Sequence, residues 1–113
     1  MTPADTEAVV VLVTAPDQAT LVSMAEVLVA EGLVACMNIV PAVRSVYVWD
    51  DQVKNESEAL GIIKTVRRAV PDLQQRVLEL HPYEVPEFLT LAVEMGDRRY
   101  LDWISNSIPG REP

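Results

Sequence analysis

Val9-Val10-Val11-Leu12-Val13-Thr14 is an unbroken run of β-branched and leucine side chains closed by a threonine. It is short for a core helix, and no polar residue alternates through it. Such a run reads as a central strand buried on both faces, so the rest of the chain has to cover it. Pro16-Asp17 ends the run, and Asp17 is placed to cap a helix. From Gln18 the apolar spacing becomes helical, with Leu21, Ala25, Leu28 and Val29 on one face. Gly32 suits the C′ position that closes such a helix.

A second strand is expected from Leu33 to Val40, broken or bent at Pro41 and resumed from Val43 to Trp49. Asp50-Asp51-Gln52 is polar and turn-like, and Ser57 to Thr65 reads as the next strand. A second helix runs from about Pro71 to Leu80. Pro71 suits its first turn, and Val70, Leu73, Val77 and Leu80 form its buried stripe. After the link His81–Glu87 come a strand from Phe88 to Val93, a break at Gly96-Asp97, and a helix from Arg98 to Asn106 that packs through Leu101 and Ile104. Residues 1–7 and 109–113 read as flexible tails around a single domain, 8–108. The order β-α-β-β-α-β-α is the split βαβ arrangement of an α+β, ferredoxin-like sandwich (βαββαβ) with an extra C-terminal helix.

The long β-hairpin from Val43 to Thr65 does not suit a lone subunit. Its arms exceed the usual strand of roughly 5–6 residues. Its far part carries Val46, Tyr47, Val48, Trp49 and Val53. Left alone, that apolar ribbon and its edges would face water. Either the last helix lies over it, or a neighbouring subunit pairs with it; the second arrangement is the one expected.

The 113 residues fit one domain, and half of them are hydrophobic, enough for an ordinary core. A domain of this size hides only about two-thirds of its unfolded surface, so assembly would help it. The net charge of −8 disfavours nucleic acid and anionic lipid as partners and favours cations. One cysteine, Cys36, excludes an internal disulfide and any Cys-x-x-Cys chemistry. The N-terminal segment has neither a basic region nor an apolar core, and no apolar run approaches the ~18 residues of a membrane span. The cytoplasm is therefore the expected compartment.

His81-Pro82-Tyr83-Glu84-Val85-Pro86-Glu87 is the segment richest in chemistry. Each residue before a proline is pushed out of helical geometry, so the link is stiff and extended. Tyr83, Glu84 and Glu87 are thereby held at defined positions. The competing reading is structural: His81 satisfies carbonyls at the end of the second helix, and the prolines merely stop it. Cys36, mid-strand, is by itself most simply a small buried hydrophobe. As a thiolate it would suit Cu(I), Cu(II) or Zn(II) together with an imidazole. With a single histidine in the chain, such a site would need carboxylates, Glu58 or Glu87, or a second subunit. Lys64 is either an exposed strand end or an anion contact in a cleft. Tyr47 and Trp49 share a strand face, as do Glu56 and Glu58. There is no Gly-rich phosphate loop, no local support for a nucleophile site, and no aromatic pair of the kind that stacks RNA.

Taken together, these segments resemble the CutA divalent-cation tolerance family. The matching stretches are Val13-Thr14-Ala15-Pro16-Asp17, Leu33-Val34-Ala35-Cys36-Met37-Asn38-Ile39-Val40-Pro41 and Ser45-Val46-Tyr47-Val48-Trp49. They continue with Ile62-Ile63-Lys64-Thr65, the His81–Glu87 link and Tyr100-Leu101-Asp102-Trp103-Ile104. The resemblance implies a non-enzymatic homotrimer of PII-like architecture, with long strands exchanged between subunits and clefts between them. It implies a role in divalent-ion, especially copper, tolerance and response. It implies metal ligands at Cys36, His81 and, as the acid, Glu58, with no obligatory cofactor but Cu(II) or another divalent cation bound. A PII-type signalling or small-molecule module, with a cleft of Trp49, Lys64, Tyr83 and Glu87, is the alternative; a trimeric scaffold for an unidentified protein partner is another. The chain departs from the family at three places. Val13 stands where some relatives have a second cysteine. Trp49-Asp50-Asp51-Gln52 replaces a Trp-x-Gly-Lys tip, and Gly61 replaces an apolar residue, which should loosen that strand locally.

Overall fold

The structure, a computed structural model, describes residues 7–109. The expected tails lie outside the described residues except for Glu7 and Pro109, and both of these are held. The Glu7 carboxylate pairs with Arg67, and the Arg68 guanidinium donates to the Pro109 and Ile108 carbonyls.

The elements are β1 (Ala8–Ala15), α1 (Gln18–Ala30), β2 (Cys36–Trp49), β3 (Gln52–Val66), a 3-10 turn (Arg67–Ala69), α2 (Val70–Leu80), β4 (Leu89–Ala92) and α3 (Arg98–Ser107). The four strands form one antiparallel sheet in the order β2-β3-β1-β4. This is the ferredoxin-like βαββαβ sandwich with an added C-terminal helix.

β1 is central, but it is not sealed on both faces as its composition suggested. Val9, Val11, Val13 and Ala15 are fully buried, whereas Val10, Leu12 and Thr14 on the other face are only half-buried. Of the buried set, Val11, Val13 and Ala15 pack with Leu21, Met24 and Leu28 of α1, Leu73 and Val77 of α2, and Ala59 and Ile63 of β3. Each such leucine contributes about 1.5–3 kcal/mol by leaving water. On α1 the buried stripe is Leu21, Met24 and Leu28, not Ala25 and Val29. At 100° per residue, Ala25 and Val29 turn off the sheet, and Val29 is exposed.

Asp17 caps α1, accepting from the Thr20 N–H at 2.8 Å. Gly32, at φ +76°, ends it in a left-handed turn, with Leu33 N–H bonded to the Leu28 carbonyl. Pairing of β2 begins at Cys36, three residues later than expected, and of the break or bend expected at Pro41 the strand shows an irregularity rather than a break. A register shift between Val40 and Val43 absorbs Pro41, which has no N–H to give the ladder, and the strand continues to Trp49. β3 starts at Gln52 rather than Ser57. Its first residues are polar because they belong to a two-stranded ribbon beyond the sheet, with no core to face. β4 is shorter than expected. The ladder passes through Gly61 without interruption.

Ala8, Val66 and their neighbours lie on the sheet face opposite α1 and α2, by alternation along the strands. α3 packs there through Ile104 and Leu101, with Ile108, Ala69 and Val93. It covers the end of the sheet farthest from the hairpin tip, so it does not lie over the ribbon. Val46, Val48, Trp49 and Val53 remain exposed.

Candidate functional site

The site grows from the end of α2. His81 is its C-cap residue, with an extended backbone enforced by Pro82, and its N–H still bonds the Val77 carbonyl. The side chain, however, does not cap its own helix. It is buried and reaches the C-terminal end of β1, where Nε2 lies 2.7 Å from the Thr14 carbonyl. A carbonyl can only accept, so Nε2 carries the proton. Nδ1 accepts the Tyr83 N–H at 3.0 Å. Both ring nitrogens are therefore occupied, and the imidazole is the Nε2–H tautomer.

The bond to Nδ1 turns the link so that Tyr83 points at β3. Its phenol donates to the Glu58 carboxylate at 2.8 Å, and its ring packs against that of His81 with centroids 4.8 Å apart. Burial, and then the Glu58 hydrogen bond and charge, push the Tyr83 phenol above its ordinary range. Glu58 is itself buried. Two residues along the same strand face, Glu56 accepts the Tyr47 phenol, which that bond pushes upward. Glu87 is raised by desolvation and then by the Glu58 charge. The result is a cluster of carboxylate and phenol oxygens, donors that suit hard cations better than soft ones.

The sequence-derived residues are gathered only in part. Glu58, His81 and Tyr83 meet, and Glu87 lies within reach of the Glu58 charge. Cys36 does not join them. It is half-buried, faces Asn38 and is paired across the ladder with Lys64. Lys64 is six residues from Glu58 along β3, roughly 20 Å at the ordinary strand rise. Trp49, opposite Gln52 at the tip, lies about as far from Glu58 in the other direction. Among the described residues no group of three or more His, Cys, Asp or Glu side chains could hold a metal ion. A centre built from Cys36, Glu58 and His81 thus does not assemble within one subunit. The Tyr47–Glu56 bond and the Thr14 carbonyl were not anticipated. The first depends on hairpin register, and the second is a backbone atom with no side-chain signature.

The family model described as CutA1 divalent ion tolerance protein matches residues 9–107. A curated relative, the divalent-cation tolerance protein CutA of Thermus thermophilus, is 45% identical over 84% of this chain and 92% of its own. The crystal structure of CutA1 from Oryza sativa superposes with a TM-score of 0.89 at 37% identity, covering 93% of this chain and 96% of that one. The Cut A1 structure from Thermus thermophilus gives a TM-score of 0.87 at 42% identity, covering 90% and 99%.

Proposed function

The chain belongs to the CutA1 divalent ion tolerance family, and from that premise we propose that it serves divalent-cation tolerance as a cytoplasmic, non-enzymatic homotrimer that meets cations at clefts between subunits. The family is named for a tolerance and not for a reaction. The observation that carries the assembly is the sheet face turned away from α1 and α2. Val10, Leu12, Leu60, Ile62, Leu89 and Leu91 share that face, and α3 covers only one end of it. Leu89 and Leu91 are about half exposed, as is much of the ribbon. An apolar face of this kind beside open strand edges is what a second copy of the chain buries.

Glu58 lies on the same face, with Tyr83 bonded to it. Covering the face walls Glu58, Tyr83 and Glu87 into a cleft. Trp49 and Lys64, at opposite ends of one ribbon, can line it only from different subunits. Divalent cations, Cu(II) among them, are the ligands in this reading. Glu58 and Glu87 supply oxygen donors, and Cys36 joins them only from a neighbouring subunit. Light scattering should give three times the chain mass of 12.5 kDa, and a monomer at micromolar concentration would sink the proposal. Calorimetry with Cu(II) should show at least a tenfold loss of affinity in Glu58→Gln/Glu87→Gln. The control is Glu26→Gln, exposed on α1. Equal binding by all three proteins would remove the cleft carboxylates from the site.

A further inference from the structure

We infer that His81 is a structural tether whose ring is closed to metal ions in the folded subunit, although its residue type and position are those of a ligand. Imidazole binds a metal through a free lone pair on one nitrogen, commonly with the other N–H held by a carbonyl. The bond from Nε2–H to the Thr14 carbonyl supplies the second half of that pattern. The first half is missing, because the only lone pair, on Nδ1, takes the Tyr83 N–H. Ligation through Nδ1 would expel that N–H. Ligation through Nε2 would move the proton to Nδ1, set two donors face to face and strand the Thr14 carbonyl. Neither loss stays local, because Tyr83 is fixed at its other end to buried Glu58. The ring thus ties together β1, the end of α2, the 81–87 link and, through Tyr83, β3. It presets the phenol on Glu58 rather than donating to a cation. This inference stands apart from the cation-binding reading, which assigns its ligands to carboxylates and to Cys36 of a neighbouring subunit.

His81 is the only histidine, so its ring is a single spin system in histidine-labelled protein. Long-range proton–nitrogen correlation spectra of the folded protein should show Nε2 protonated and Nδ1 bare. That pattern should not move when Zn(II) is added to one equivalent per subunit. A Zn(II)-dependent shift of Nδ1, or a switch of tautomer, would overturn the inference. Calorimetry with Zn(II) is the second arm: His81→Gln should melt earlier than the parent yet bind within twofold of it, and a tenfold weaker affinity in the folded variant would count against a tether. Should that variant not fold, the spectra of the parent protein still decide. Should Zn(II) not bind at all, the unchanged ring upholds the tether, and only the cation-binding proposal fails.

Discussion

Tyr83 makes two bonds that no local rule relates, one from its N–H to a ring two residues back and one from its hydroxyl to Glu58 on β3. The second is a hydrogen bond to a buried carboxylate, so losing it leaves a charge without a donor. Tyr83→Phe should therefore lower unfolding free energy by about 1.5–3 kcal/mol, read from urea denaturation at neutral pH. A loss below about 0.5 kcal/mol would show that water replaces the phenol. The residue types of this cluster were visible along the chain: a Pro-flanked His and Tyr, and glutamates two apart on a strand. Their pairing was not, because it depends on which β3 residue comes opposite the link. Gly61 gives the same lesson. A Cβ there would sit 3.0 Å from the Met37 sulfur and 3.6 Å from Leu21 Cδ1, so neighbouring side chains already fill the space that a side chain at this position would take.

At the scale of elements, the hairpin tip holds two non-glycine residues in the left-handed region. Asp50 and Asp51 hold φ of 55° and 61°, the left-handed pair of a two-residue hairpin turn that favours Asn-Gly. Asp51→Gly should remove one of these penalties and raise stability by about 1 kcal/mol, measured by thermal melting. A fall in melting temperature would mean that the Asp51 carboxylate makes a contact that matters in the assembly. The start of α1 responds to pH. Hydrogen bonds from Thr20 hold the Asp17 carboxyl below its ordinary range. A depressed folded-state value means that the capping contribution is present above the unfolded pKa and is lost as pH falls through the folded one. Melting temperatures of the parent and Asp17→Ala should differ at pH 7 and converge as pH falls through and beyond the ordinary aspartate range. A gap unchanged with pH would show that the carboxyl caps equally well when protonated.

For the whole molecule, the decisive feature is the apolar sheet face that one chain cannot cover. Leu91 is 48% exposed on β4. In a monomer, Leu91→Lys would be nearly neutral, within about 0.5 kcal/mol, as for most surface changes. In the proposed trimer it buries a charge against a partner. Light scattering should then show the mass falling toward one chain while far-UV circular dichroism is kept. An unchanged trimer would place the interface elsewhere.

The sequence by itself determined the element order, the Asp17 cap and the Gly32 helix end, because these depend on periodicity and on backbone preferences within a few residues. It also carried the family's signature segments in order. Tertiary structure alone decided that β3 pairs with β2 from Gln52 onward, that α3 covers the sheet's second face at one end, and that His81 spends both nitrogens on Thr14 and Tyr83. Those outcomes rest on strand register and on backbone atoms brought together from as far as 67 residues apart. A backbone carbonyl or N–H is the same at every position, so no side-chain pattern can show in advance which one a buried ring will meet.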